Sequence, residues 1–290
     1  MTTAQREKIE EALFPPAVAI LIAFVAGDFL MLSFNPSPFV VWRLLLEGTW
    51  GNAYGFGQVL YKATTLSFTG MAVAFAYRAG LFNIGGEGQL AAGGLAAALV
   101  GFALPVGFPA LLAILLGCLG AAAAGGIVGA VPGYLRVRFG AHEVITTIML
   151  NFVVLALLNW FIATKLRVPE TLHTPEIHAG AISRLSAIIP AFHGSAANLS
   201  VIAVLLTAIA MWYYMFRTRG GYELRAVGLQ PDAAEYGGIS VGRVLFSAMT
   251  VSGVIAGLGG INFVLGYKYY YEDGFAGGTR PVSIVSSRHA

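Results

Sequence analysis

Charged residues are scarce in this sequence, and one long stretch has none. Only 11% of the 290 residues are charged, whereas 57% are hydrophobic, and the mean hydropathy is +0.76. Soluble domains carry about 25% charged residues, so this chain has too few charges to cover a water-facing surface. From Gly88 to Leu135 no charged residue occurs. These shortages exclude an ordinary soluble domain and favour helices that cross a membrane.

The sequence also lacks the residue patterns of most enzymes and metal sites. Its single Cys118 excludes a disulfide framework and a cysteine-based metal site. No GxxxxGK[ST] or HExxH motif occurs, so neither a nucleotide-hydrolysing loop nor a helical zinc-protease motif is present. His173, His178 and His193 lack the spacing of a helical zinc pair. The basic residues are scattered between apolar runs, which argues against nucleic acid as a partner. We therefore expect no enzyme, no metal and no cofactor in this chain.

Apolar runs of membrane-spanning length are abundant. A hydrocarbon core about 30 Å thick needs about 20 apolar residues in a helix. The predicted spans are 17–34, 56–77, 81–104, 110–132, 144–164, 199–216 and 244–266. The expected fold class is an all-α polytopic membrane helix bundle with about seven spans. Residues 1–16 are predicted to form a cytoplasmic N-terminal segment, and residues 17–266 the transmembrane domain.

The positions of lysine and arginine predict the orientation of the chain. With the N-terminus inside, every short inner connection carries a base, as the positive-inside rule expects. Two long connections follow: a polar outer loop, 165–198, and a strongly charged inner loop, 217–243. The inner loop contains "YELRAVG" and "PDAAEYGG", which are typical of two short helices, each ended by glycine. Pro231 followed by Asp232 fits the start of the second helix.

Glycine and alanine recur at four-residue spacing inside two of the predicted spans. Small residues one turn apart allow helix backbones to approach closely in lipid, which predicts tight packing within the bundle. The residues concerned are Ala121, Gly125, Gly129, Gly133, Gly253 and Gly257.

A polar, glycine-rich segment interrupts the third apolar run near residues 80–94, in "AGLFNIGGEGQLAAGG". A charge at bilayer depth costs at least roughly 2.5–3.5 kcal/mol on insertion scales, so intramembrane ionisable groups are functional by default. We interpret Asn83, Glu87, Gln89 and Asn151 as candidate residues of a solute pathway. The alternative is that Arg78 and Glu87 mark the cytoplasmic interface and that the span begins only at Leu90. Asn151, like Asn159 and Asn262, could also form hydrogen bonds between helices.

Three motifs in order, "AYRAGLFNIGGEGQL", "HEVITTIMLNFV" and "LRAVGLQPDAAEYGGISV", resemble the permease subunits of binding-protein-dependent ABC importers. The resemblance covers roughly residues 15–274. The closest group is the nucleoside and simple-sugar branch, which is related to the branched-chain amino-acid permeases. It implies a multi-pass protein of a prokaryotic cytoplasmic membrane, with a second permease subunit or a copy of itself as partner. It also implies cytoplasmic ATPase subunits, which use the ATP, and an extracytoplasmic binding protein.

The resemblance also assigns roles to segments of this chain. "FNIGGEGQ" matches an interrupted membrane segment near the translocation path, and "NIGGEGQ" favours a nucleoside over a ribose-type sugar as solute. The inner loop matches the segment through which the ATPase is coupled. Its candidate coupling residues are Glu223, Leu224, Arg225, Ala226, Gly228, Asp232, Ala233, Ala234, Glu235 and Gly238.

Three alternatives to a nucleoside importer remain open at this point. The first is a simple-sugar ABC permease. The second is an ion-coupled secondary transporter in which Glu87 carries a proton, although no convincing internal repeat supports it. The third, an intramembrane enzyme, lacks paired catalytic residues at a usable spacing.

The tail, 267–290, departs from the family pattern because it is short, polar and basic where further apolar spans would follow. We expect it to reflect a truncation or frameshift.

Overall fold

The computed structural model describes residues 3–34, 37–166, 168, 171, 173–272 and 274. The described chain is helical, with two isolated bridges and no β-strand. The helices are α1 Thr3–Ser33, α2 Pro38–Thr49, α3 Ala53–Tyr77, α4 Gly86–Ala103, α5 Ala110–Phe139, α6 Glu143–Phe161, α7 Ser200–Arg217, α8 Arg219–Leu229, α9 Pro231–Tyr236, α10 Val241–Leu258 and α11 Gly260–Phe263. The chain divides into two compact units, residues 1–56 and 57–290. The tail beyond residue 274 lies outside the described residues.

Helix α2 is a feature of the first unit that the sequence did not predict. It is only 12 residues long, too short for a span, and Pro38 at its first turn is its one start signal. Helix α2 pairs with α1 through Trp42, whose Nε1 donates to Asp28 Oδ1 at 2.7 Å. The rings of Phe24 and Trp42 lie 4.8 Å apart. Asp28, an isolated carboxylate in an apolar run, is therefore hydrogen-bonded to its neighbouring helix.

Six helices of the described chain are long and apolar enough to cross a membrane. They are Phe14–Ser33, Ala53–Tyr77, Ala110–Phe139, Glu143–Leu166, Ser200–Arg217 and Val241–Lys268. Helix α4 occupies the place of the third predicted span, and its first turns carry Glu87 and Gln89, which lower its hydropathy. The predicted fold class, a polytopic helical membrane bundle of about seven spans, is confirmed.

Two predicted span edges were wrong, each for a local reason. Helix α4 begins at Gly86 rather than at Leu81, because residues 78–85 form a non-helical turn and extended segment, called here the connector. Helix α5 continues through Pro132 to Phe139 and ends at Gly140, which has a left-handed φ of 66°. The last span is broken: α10 stops at Leu258, and α11 leads into a π-helical turn, Val264–Lys268.

The predicted tight packing of small residues is confirmed between α5 and α10. A methyl group added at Gly129 would lie 2.5 Å from the carbonyl oxygen of Met249 and 2.9 Å from the Cα of Gly253. A methyl group added at Gly125 would lie 2.6 Å from the Cα of Gly257. On another side, α10 meets α4, where the backbones of Gly93 and Gly257 touch. Helix α10 therefore packs against both α4 and α5, with almost no side-chain volume separating the backbones at these glycines.

We predict that Gly253→Ala destabilises the protein by about 1–3 kcal/mol, because the added methyl overlaps the backbone of α5. The matched control is Gly70→Ala in α3, where a methyl group would meet nothing within 4 Å. Thermal unfolding of both purified variants in detergent checks the difference. Equal melting temperatures would show that the α5–α10 contact does not limit stability.

Candidate functional site

The connector begins with a glycine-terminated end of α3. The Leu81 N–H donates to the Ala76 carbonyl at 3.1 Å, and the Gly80 N–H donates to the Tyr77 carbonyl at 3.0 Å. Gly80 has a φ of 76°, which L side chains adopt only with strain. This is the Schellman arrangement, and Leu81 and Ala76 supply its buried apolar contact. The chain therefore leaves α3 in a fixed direction.

Asn83 is the centre of a buried hydrogen-bond network. Its Nδ2 donates to Gln89 Oε1 at 2.9 Å and to Ser252 Oγ at 2.7 Å. Its Oδ1 accepts from the Gly85 N–H at 2.9 Å and from Gln89 Nε2 at 3.2 Å. Ser252 Oγ in turn donates to the Ala72 carbonyl at 2.6 Å. Asn83, Gln89 and Ser252 are each fully buried, so the network ties the connector to α3, α4 and α10.

Asn151 of α6 provides a cap for α4 that the sequence around α4 lacks. The residue before α4 is Gly85, which has no side chain to accept the free N–H groups of the first turn. Asn151 Oδ1 accepts from the Gly88 N–H at 2.9 Å, and its Nδ2 donates to the Ile84 carbonyl at 3.0 Å. A methyl group at Gly88 would lie 2.9 Å from that Oδ1. Glycine is needed there so that α6 can approach.

Side chains alternate along the extended part of the connector. Leu81, Asn83 and Gly85 point inward and are buried, whereas Phe82 and Ile84 are 45% and 39% exposed. Glu87 follows on the exposed side, and no described residue forms an ion pair or hydrogen bond with it. Of the four predicted pathway residues, Asn83, Gln89 and Asn151 therefore hold the connector in place, and only Glu87 presents an unoccupied polar group.

A second buried polar network lies near the opposite ends of the same helices. Asn262 Nδ2 donates to the Tyr61 carbonyl at 2.9 Å and to Thr65 Oγ1 at 2.8 Å. Its Oδ1 accepts from Asn198 Nδ2 at 2.9 Å and from Ser200 Oγ at 2.7 Å. Asn262 thus joins α3, the start of α7 and the broken end of α10. The interpretation of Asn151 and Asn262 as groups that bond between helices is confirmed, while Asn159 Oδ1 has no hydrogen-bond partner in the described chain.

The predicted inner loop forms α8 and α9, with Pro231 and Asp232 in the first turn of α9 as expected. Two of its ten candidate coupling residues, Leu224 and Ala234, are buried. Arg225 lies over the ring of Phe216, 5.3 Å from its centroid. The other candidates are half-buried (Glu223, Ala226 and Gly228) or exposed (Asp232, Ala233, Glu235 and Gly238). The sequence expectation that glycine ends α8 was wrong, because Gly228 lies inside the helix, which runs to Leu229.

Several residues of the site were missed by sequence reasoning. Four buried polar residues belong to this group: Ser252, Asn198, Ser200 and Thr147. Single polar residues of these types also occur at structurally neutral positions, and the spacing of these four did not distinguish them. The sequence does contain one signal for the turn before the connector, because Gly80 follows the last apolar turn of α3, a position typical of a helix end. The pairing of Asn83 with Ser252 joins residues 169 positions apart, which only the tertiary structure reveals.

The fold and the connector define a class: a polytopic helical membrane protein with a rigid, interrupted polar segment inside its bundle. Residues 55–285 match the family described as branched-chain amino acid transport system / permease component, and the chain belongs to that family. No solved structure matches. The family assignment makes this chain a permease subunit of an ABC transporter, which works with ATPase and binding-protein partners. It favours the ATP-driven importer over the ion-coupled transporter and the intramembrane enzyme.

Similar proteins with assigned substrates are mostly permeases for nucleosides. The chain is 39% identical to the guanosine ABC transporter permease protein NupP of Bacillus subtilis over 89% of this chain and 73% of that one. It is 35% identical to the nucleoside permease NupB of Lactococcus lactis, over 87% and 70%. It is 30% identical to the glucose permease TsgB13 of Haloferax volcanii, over 91% and 70%.

We predict that Asn83→Ala destabilises the protein by about 1–3 kcal/mol, because it leaves the Gly85 N–H and the Gln89 amide buried without partners. Glu87→Ala is the control, since that side chain is exposed and unpaired. The measurement is thermal unfolding in detergent. If both variants had the same melting temperature as the wild type, the network would contribute nothing to stability.

Proposed function

We propose that this chain conducts a nucleoside across the cytoplasmic membrane of a prokaryote. In this proposal ATP is hydrolysed by separate ATPase subunits, and an extracytoplasmic binding protein delivers the solute. The proposal rests on the family of the chain and on the identities within it. The chain is more similar to the guanosine and nucleoside permeases than to the glucose permease. A second permease subunit or a second copy of the chain completes the passage.

The α8–α9 segment supplies a surface suited to the ATPase subunits. Tyr222, Leu229 and Tyr236 are 62%, 84% and 97% exposed, yet with the N-terminus inside they lie on the aqueous cytoplasmic side, where lipid does not cover them. Exposed apolar groups rimmed by polar residues mark interaction surfaces. A groove of about 510 Å³ separates α8 from α9. Its lining includes five of the candidate coupling residues: Glu223, Ala226, Ala233, Ala234 and Gly238.

The exposed side of the connector supplies a candidate wall of the pathway. Glu87 has no partner in the described chain, and a carboxylate facing acyl chains would be costly. This side therefore faces water or the partner permease in the assembled transporter. We assign the solute-contacting role to Glu87, with Asn83, Gln89 and Asn151 as the residues that position it. A carboxylate can accept hydrogen bonds from the sugar hydroxyls or the base of a nucleoside, which replaces contacts to water.

Uptake by the complete transporter tests this proposal. Proteoliposomes that contain this chain with its ATPase, partner permease and binding protein are expected to accumulate labelled guanosine only with ATP. Unlabelled nucleosides should compete, whereas ribose and glucose should not. Glu87→Ala should lower guanosine uptake while the ATPase subunits still co-purify. Competition by glucose alone would assign the chain to sugar transport, and ATP-independent uptake would contradict the importer.

We predict that Leu229→Ser and Tyr236→Ser together reduce the amount of ATPase that co-purifies with the permease, because both side chains are exposed and their loss leaves the bundle intact. The matched control is Val106→Ser in the α4–α5 turn, which is 83% exposed and lies at the other end of the helices. Quantitative pull-down of the ATPase is the measurement. Full recovery of the ATPase with the double variant would remove α8–α9 as the docking surface.

A further inference from the structure

Helix α8 touches the start of the connector directly, backbone against backbone. A methyl group added at Gly228 would overlap the carbonyl oxygen of Arg78 and would lie 2.9 Å from its carbonyl carbon and 3.2 Å from that of Ala79. Conversely, a methyl group at Gly80 would lie 3.6 Å from the Cα of Gly228. No side chain separates α8 from the start of the connector. A shift of either segment toward the other therefore displaces the other segment as well.

Buried apolar side chains surround this contact. Leu224 and Val227 of α8 belong to the same buried cluster as Ala76, Ala79 and Leu81 at the end of α3 and the start of the connector, and all five are at most 2% exposed. Close-packed interiors transmit displacements because they contain no empty space to absorb them. The buried side chains around the contact therefore leave no space for α8 and the connector to slide past each other.

Beyond the contact, the connector is held along its length. The glycine turn fixes residues 76–81, Asn83 fixes the Gly85 N–H, and Asn151 fixes the Ile84 carbonyl and the Gly88 N–H. A displacement applied at Arg78 consequently reaches the first turn of α4, where Glu87 lies. Leu81, Asn83 and Gly85, which lie between the two points, are all buried.

We propose that Gly228 is the residue through which α8 moves the connector, so that α8 and residues 78–88 shift as one body during the transport cycle. Gly228 is a positioning residue in this account, because it acts on the solute-facing segment through Arg78 and Ala79. The inference deepens the proposed function and rests on it: docking of an ATPase at α8–α9 would reach Glu87 by this route. The sequence had placed Gly228 at a helix end, where it would have had no such role.

Substitution at Gly228 tests the inference in the complete transporter. Helix propensity alone would favour alanine over glycine within α8, so a loss must come from the overlap with Arg78. Gly228→Ala and Gly228→Val are expected to retain co-purification of the ATPase and ATP hydrolysis, while uptake of guanosine falls on the order of tenfold. Gly70→Ala is the matched control, since it also lies inside a helix and its methyl group would meet nothing within 4 Å.

The outcomes separate this inference from the proposed function. Absence of guanosine uptake by the wild type overturns the proposed function. If the wild type takes up guanosine and Gly228→Val takes it up equally well, the proposed role of Gly228 is overturned. Loss of ATPase co-purification along with uptake also overturns it, because Gly228 would then only maintain the docking surface.

Discussion

The hydrogen bonds that Asn83 and Asn151 make to the backbone around residues 84–88 hold the connector in place. Non-helical backbone at membrane depth survives only where protein or water satisfies its polar groups. Here two amide side chains do so, one from the connector itself and one from α6. They also fix where α4 begins, and α4 in turn packs against α5 and α10 through glycine contacts. The position of Glu87 follows from this arrangement.

The same hydrogen bonds explain how polar residues can be concentrated in an apolar bundle. Amides that are fully buried and mutually bonded cost little, whereas the same groups left unpaired would cost about 1–3 kcal/mol each. Asn83 and Gln89 satisfy each other, and Asn262 does the same near the opposite ends of the helices with Asn198 and Ser200. Helix α3 is thus joined to α10 through Ser252 and to α11 through Asn262, while small residues pack α10 against α4 and α5.

Sequence reasoning predicted the parts of this structure that depend on local pattern. Apolar runs predicted the spans, small residues at four-residue spacing predicted tight packing but not which helices pair, and Pro231 with Asp232 predicted the start of α9. It failed where a contact joins distant residues. The cap of α4 comes from Asn151, 63 positions away from Gly88, and the contact of Gly228 with Arg78 joins α8 to the start of the connector, which is far away in the chain. The interruption itself was predicted. Of the four candidate pathway residues, Asn83 and Gln89 are buried, Asn151 bonds to backbone and Glu87 is exposed, and their part in a solute pathway stays a prediction.

The central claim, that side-chain amides hold the connector rigidly, is tested most directly by hydrogen exchange of single backbone amides in the detergent-solubilised protein. The Gly85 and Gly88 N–H groups are expected to exchange as slowly as amides in the middle of α4, because both donate to asparagine side chains inside the bundle. Exchange at the rate of an exposed turn, such as residues 104–109, would contradict the account.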